Sequence, residues 1–362
     1  VKILFISRAY PPVVGGIENH NFALSQWLPK HVETKTFANR FGKKILPLFL
    51  PFAVLYALIF MLRRDALLLG DGVLGIVGWV VKVFYGDRKR VVCVLHGLDL
   101  TYTLPLYQKL WVGHFIPACD QLIAVGNETI HAGVTRAIPE SKFVLIPNGV
   151  DSEQFAPKDI PRSKLAALLQ TDIQGKHVLY TAGRLVKRKG VGWFIRNVLP
   201  SLPENTIYVV SGTGPDLVNI NKAAYETGME KRVFILGLVS DEERELLLNT
   251  CDIFIQANIP VYGDMEGFGL VVLEAASTGI PVVASKLEGL KDAIHNHENG
   301  FLAEPEEPES FKLIILSLLE DDTARKEFGE KAREYTKMNF HWRSISKQYV
   351  KACIALNGKK SL

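Results

Sequence analysis

Disulfides cannot be what holds this 362-residue chain together. It has only four cysteines, Cys93, Cys119, Cys251 and Cys353, and no two are spaced as a CxxC pair. That spacing excludes a zinc-ribbon or dithiol motif. The apolar runs around three of them predict buried free thiols of a reducing compartment. The start of the chain also lacks a secretory pattern: Lys2–Ser7 is too short for an apolar signal core and runs straight into Pro11 and Gly15. A cytoplasmic protein is expected. No Asp-x-Asp motif lies near a strand end, so neither a metal nor another cofactor is expected. A dinucleotide fingerprint is missing as well: after Gly212 and Gly214 the third glycine position is Leu217, and Pro215 intervenes. That argues against a nicotinamide oxidoreductase. Net charge is only +4, and no nucleic-acid partner is expected.

What is present is apolar sequence, evenly parcelled. Hydrophobic residues make up 48% of the chain, and its length suits two domains with a core each. Short Val/Ile-rich runs alternate with helical patterns, as in βαβ units. Strands are expected at Ile3–Ser7, Ala66–Leu69, Val91–Leu95, Leu122–Val125 and Phe143–Ile146. A second set is expected at Val178–Ala182, Ile207–Ser211, Val233–Leu236, Ile253–Gln256 and Val282–Ser285. Asn127 is placed to cap one helix, and Ser240 with Glu243 forms a capping box for another. Turn chemistry at Pro147-Asn148-Gly149, followed by Pro157 and Pro161, marks the boundary between the two halves. The segment 340–362 reads as one last helix carrying Phe340, Trp342, Ile345 and Tyr349.

Four motifs fall where chemistry would sit. Gly15-Gly16-Ile17-Glu18 follows the first strand and opens a helix, a plausible anion site because bare backbone N–H groups can approach a phosphate. Gly183-Arg184-Leu185 with Lys187-Arg188-Lys189-Gly190 joins a strand to a helix, where Arg184 and Lys189 suit a diphosphate. Met265-Glu266-Gly267-Phe268-Gly269-Leu270 runs on to Glu274, eight residues after Glu266 and about 12 Å away if helical. A carboxylate there can accept two hydrogen bonds from vicinal hydroxyls. His96-Gly97-Leu98-Asp99 follows a strand and lacks the company of other metal ligands.

In this order, and together with Pro147-Asn148-Gly149-Val150-Asp151 and Ser211-Gly212-Thr213-Gly214-Pro215, these motifs resemble the retaining glycosyltransferases of the GT-B fold, family-4 type, also called glycosyl transferases group 1. The resemblance spans nearly the whole chain. It implies an α/β fold of two Rossmann-like domains facing across a cleft: an acceptor-side domain over residues 1–155, joined by a returning C-terminal helix at about 340–362, and a donor-binding domain over 156–339. It implies a hexose-type sugar moved, with retention and without metal, from a nucleotide-diphosphate sugar to a glycan or lipid-linked acceptor, as in polysaccharide biosynthesis. Catalysis would fall to Glu266, His96, Arg184 and Lys189. Substrate would be held by Gly15, Gly16, Asp99, Gly212, Leu238, Val239, Gly267, Phe268, Gly269, Leu270 and Glu274. Within that set Arg184 and Lys189 hold the diphosphate, Glu274 the ribose, and Leu238 and Val239 lie near the base. A nucleotide-sugar epimerase, another GT-B enzyme or a non-catalytic nucleotide-sugar binder share parts of this pattern.

Residues 37–65 depart from the family in being short and unusually apolar, in the region that commonly shapes the acceptor site. Ile45–Leu62 carries no charge, with Lys43 and Lys44 before it and Arg63 and Arg64 after it. Pro47 and Pro51 suggest a helix beginning only at Pro51, too short to span a bilayer. The first 150 residues hold 16 Lys and Arg against 9 Asp and Glu. Docking of this half on an anionic membrane surface, peripherally on the inner face, is therefore expected; the alternative is a helix buried on all sides.

Overall fold

The structure, a computed structural model, describes residues 1–13 and 15–354. The chain divides into two compact units, Val1–Gly149 with the C-terminal segment from Trp342, and Val150–His341.

The first unit is built on a six-stranded parallel sheet of β1 (Lys2–Ser7), β2 (Glu33–Ala38), β3 (Ala66–Leu69), β4 (Arg90–Leu95), β5 (Gln121–Ala124) and β6 (Phe143–Leu145), in the order β2-β1-β3-β4-β5-β6. Successive strand residues point to opposite faces, and a parallel sheet is covered on both, so its strands read as unbroken apolar runs. Leu4, Ile6, Leu67, Leu69, Val91 and Cys93 pack beneath two helices, α2 (Leu46–Met61) and α3 (Gly75–Tyr85). Ile3, Phe5, Leu68, Val92 and Val94 pack beneath α1 (Gly16–Trp27) and the helix Trp342–Ile354.

The second unit repeats the plan with β7 (His177–Ala182), β8 (Thr206–Ser211), β9 (Val233–Gly237), β10 (Ile253–Gln256), β11 (Val282–Ser285) and β12 (Phe301–Ala303), in the order β12-β11-β10-β7-β8-β9. Each fully buried side chain of this kind contributes about 1.5–3 kcal/mol. The strand order reverses between β7 and β10 here and between β1 and β3 in the first unit. Ligands of open parallel sheets bind at such points, outside the carboxyl ends of the strands.

Several expectations need correcting. β2 and β12 were not anticipated. The expected helix over 340–362 is two elements: Phe340 ends the helix Asp322–Phe340, His341 is extended, and Trp342 begins the last helix. The break has a cause, because Phe340 belongs to the core of the second unit and Trp342 to that of the first. Residues 355–362 lie outside the described residues. The unit boundary falls at Gly149, where Val150 N–H donates to the Phe340 carbonyl (2.8 Å) and joins the second core. The capping box of Ser240 and Glu243 is present. The other helix begins at Asn127, with Gly126 at the cap position. All four cysteines are free and buried. Finally, α2 starts at Leu46 rather than Pro51 and is not covered on all sides. Pro47 sits in the first turn, where no N–H is needed, and Pro51 forfeits only one bond near the helix start.

Candidate active site

In the second unit the loops after β7 and β10 meet at the reversal point. Gly190 has φ 64, and a Cβ there would overlap the carbonyl oxygen of Ala257. Only glycine lets the two loops close this tightly. Ile259 N–H donates to the Arg188 carbonyl (2.9 Å), which fixes the pair. The short turn Lys187–Lys189 thereby presents its cations to the loop carrying Glu266.

The centre of this arrangement is Glu266, 8% exposed and lying four residues before the helix Leu270–Thr278, not on it. Its Oε2 accepts from Lys189 Nζ (2.5 Å), from Asn258 Nδ2 (3.1 Å) and from Arg188 Nη1. Its backbone N–H donates to Glu288 Oε2 (2.6 Å), and Glu288 is itself held at φ 46, a left-handed conformation that a glutamate rarely adopts. Burial by itself would raise the Glu266 pKa. The charges of Lys189 and Arg188, with hydrogen bonds from Lys189 and Asn258, outweigh that and hold it at about 2. The carboxylate is thus ionised, and two cations are gathered on one oxygen.

Arg184 is not part of this cluster. Its side chain is exposed and makes no hydrogen bond or ion pair among the described residues. Its backbone is pinned instead: Gly183 N–H donates to Ser211 (3.0 Å) and Leu185 N–H to Thr213 (2.9 Å), so the turn lies against Gly212, which has φ 126. Arg188, from the same basic loop, is the second cation on Glu266. Phe268 is buried in the core, which anchors the stretch Gly267–Gly269 by its ring, and Gly269 takes φ 83 to start the helix at Leu270. On that helix Glu274 pairs with Arg244, whose guanidinium lies over the Phe155 ring (5.3 Å). Leu238 is 80% exposed at the end of β9, while Val239 packs on the core.

The first unit has its own polar cluster at the reversal between β1 and β3. Arg8 Nε donates to Asp71 Oδ1 (2.8 Å), which also accepts from Val73 N–H (2.9 Å). Asp71 Oδ2 and the Tyr107 hydroxyl are buried without a partner among the described residues. Burial and the nearby Asp99 raise the Asp71 pKa against the opposing charge of Arg8. Neither Arg8 nor Asp71 was singled out by the sequence. Asp99 has a local duty: its Oδ2 accepts from the His96 N–H (2.9 Å). His96 Nε2 lies 3.1 Å from the Gly70 carbonyl. A carbonyl only accepts, so Nε2 carries the hydrogen in this contact. Gly15 caps α1, and the Glu18 carboxylate folds back against it, so this helix start has its own anion in place.

His20 is fully buried beneath His96, ring centroids 5.0 Å apart. Burial first, then the charge of His96, depress its pKa well below the ordinary value. A base whose folded pKa is depressed gives stability above its unfolded pKa of about 6.5, lost as pH falls toward the folded value. The melting temperature is therefore expected to drop between about pH 7 and pH 5, and to drop less in His20→Asn, as a differential scanning fluorimetry series would read; equal slopes would refute the assignment.

Comparisons with known proteins agree on the family and the fold. The description Glycosyl transferases group 1 matches residues 170–335, and Glycosyltransferase Family 4 matches residues 14–154. A galactosyltransferase of Escherichia coli that acts on GlcNAc-diphosphoundecaprenol is 29% identical over 64% of this chain and 60% of its own length. A GDP-mannose-dependent phosphatidylinositol monomannoside mannosyltransferase of Mycolicibacterium smegmatis is 25% identical over 71% and 68%. Anabaena HepE, solved in complex with UDP, superposes with a TM-score of 0.77 at 21% identity, covering 97% of this chain and 99% of that one.

Proposed function

Because this chain belongs to the glycosyl transferases group 1 and has their two-domain GT-B fold, we propose that it is a retaining, metal-independent hexosyltransferase that draws on a nucleotide-diphosphate sugar and serves a glycan or lipid-linked acceptor at an anionic membrane surface. The observation that carries the donor half of this reading is the buried Glu266–Lys189–Arg188 cluster at the reversal point of the second sheet. The Glu266 carboxylate keeps both cations in place. A donor diphosphate would share them, and their charge would then oppose the negative charge that builds on the leaving group as the anomeric C–O bond breaks. Glu266 would lie against the sugar, and Glu274 would grip the ribose after yielding Arg244. Retention fits front-face attack, with the leaving phosphate oxygen taking the acceptor's proton. In the first unit, His96 would contact a hydroxyl of the transferred sugar. Two relatives are named for acceptors carrying a diphosphoundecaprenol or a phosphatidylinositol, which supports a lipid-linked acceptor here.

A thermal-shift screen against UDP, GDP and ADP, and against their sugars, tests the donor half. Ligand at 100 times Kd should stabilise the folded protein by about 2.7 kcal/mol. Turnover of the donor so identified should survive chelator, and the product's anomeric configuration, read by NMR, should match the donor's. Absence of any nucleoside-diphosphate shift would overturn the proposal, and interconversion of the donor sugar without acceptor would make the protein an epimerase.

A further inference from the structure

The helix α2 has two faces that its sequence does not distinguish, since both are apolar. Phe49, Ala53, Ala57 and Met61, each four residues apart, are buried against the first sheet and α3. The two alanines let the helix lie close. The opposite arc carries Leu48, Phe52, Leu55, Ile59 and Leu62, exposed by 57–70%. Their spacing of four, three, four and three residues keeps all five within a narrow stripe of an α-helix. Tyr85 donates its hydroxyl hydrogen to the Leu58 carbonyl (2.5 Å), which brings the end of α3 alongside, and Val83 and Phe84 there are exposed by 62% and 70%. Proteins that stay in water scatter such residues singly rather than in a stripe.

The charges on the segment that carries α2 are all of one sign; beside it, Glu33 is paired with Arg64 and Asp87 with Lys82. From Thr34 to Arg64 the sequence holds no Asp or Glu, and it holds Lys35, Arg40, Lys43, Lys44, Arg63 and Arg64. Arg40, Lys43, Lys44 and Arg63 are exposed. An apolar stripe with cations at both ends is complementary to one class of surface, acyl chains beneath anionic headgroups. A protein partner would have to supply an acidic rim to match; a bilayer presents phosphate everywhere along the edge. The segment Lys43–Met61 is long and apolar enough to cross a membrane by length and composition, with 22% of it buried. Spanning would require α2 to leave the sheet, however, since Phe49, Ala53, Ala57 and Met61 tie one whole side of it to the core. The helix must therefore lie in the plane of the interface.

We propose that the exposed stripe of α2, extended by Val83 and Phe84, inserts into one leaflet of an anionic bilayer, with Lys43, Lys44 and Arg63 on the headgroups. This rests on the reading of the chain as acting at such a surface, and it names the part that touches the lipid.

The test is co-sedimentation with vesicles of phosphatidylcholine alone and of an equimolar phosphatidylcholine–phosphatidylglycerol mixture, at low and high salt. The protein should pellet with the anionic vesicles, less so at high salt. Changing Leu48, Phe52, Leu55 and Ile59 together to Ser should abolish pelleting. Lys43→Gln with Lys44→Gln, two exposed sites that leave the core untouched, should lower binding to the anionic vesicles by roughly 30-fold at about 1 kcal/mol per cation, without changing binding to phosphatidylcholine alone. That pair keeps the test decisive if the serine variant does not fold. No pelleting with anionic vesicles at low salt overturns the proposal, as does binding that the lysine pair leaves unchanged. Concentration-dependent dimers that the serine changes dissolve, without vesicle binding, would assign the face to a second copy instead. Nucleoside-diphosphate binding, measured on the same preparations, separates the two readings: vesicle binding without nucleotide binding defeats the donor assignment and leaves the docking face standing, and the converse defeats only the docking face.

Discussion

Glu266→Gln is expected to lower kcat by about 10²–10³-fold while leaving the affinity for free nucleoside diphosphate unchanged or tightened. The magnitude is that of removing one preorganised electrostatic group from a transition state. The direction of the binding effect follows from the geometry. Glu266 Oε2 holds Lys189 and Arg188, so the carboxylate competes with any diphosphate for the same cations. Glutamine keeps the shape and keeps an acceptor for Asn258, but it gives up the competing charge. Glu274→Gln should show the opposite profile, because its tie is to Arg244 on the helix Asp241–Thr250 and not to the phosphate cations. It should weaken donor and nucleotide together and spare kcat. Steady-state kinetics paired with calorimetric titration of the nucleoside diphosphate reads both. Identical profiles for the two variants would defeat the division of roles.

Two strands, β2 and β12, escaped the sequence pattern. β2 reads Glu-Thr-Lys-Thr-Phe-Ala and β12 is three residues long, and both are edge strands. An edge has one neighbour and needs little apolar surface, so polarity and brevity there are protective, and they erase the pattern that a strand search uses. Glu266 and Lys189 were visible because glycines and a strand–loop–helix frame surround them. The contact of Arg188 with Glu266 was not legible, because it depends on the turn Lys187–Lys189, which no residue pattern specifies. Asp71 and Arg8 lie far apart in the chain and meet only through the β1–β3 pairing. The same limit applies to α2: periodicity cannot assign faces where every residue is apolar, and only the packing of Ala53 and Ala57 on the sheet separates the inner face from the outer one.

Lys189→Ala is expected to weaken nucleoside-diphosphate binding by about 1.5–3 kcal/mol, the worth of one charge-assisted contact, and to destabilise the fold as well. The second effect arises because Lys189 is itself 9% exposed and its loss strips a buried carboxylate of its nearest counter-charge. Breaking a buried pair from one side costs about 3–5 kcal/mol. Arg188 and Asn258 remain on Glu266, so the lower end of that range applies. Chemical denaturation of the variant measures it. The pH dependence should change in a defined direction. Glu266, held at about 2, gives stability that is complete above the ordinary carboxylate pKa of about 4.3 and is lost as pH falls toward about 2. Without Lys189 the Glu266 pKa should rise, so the variant should forfeit less stability on acidification than the parent across that window. Combining Lys189→Ala with Glu266→Gln should cost less than the sum of the single changes, since the charge left unpaired by the first is removed by the second. An additive pair would show that this lysine does not hold the carboxylate, and a folded Lys189→Ala protein whose nucleoside-diphosphate Kd is unchanged would show that it does not hold the donor.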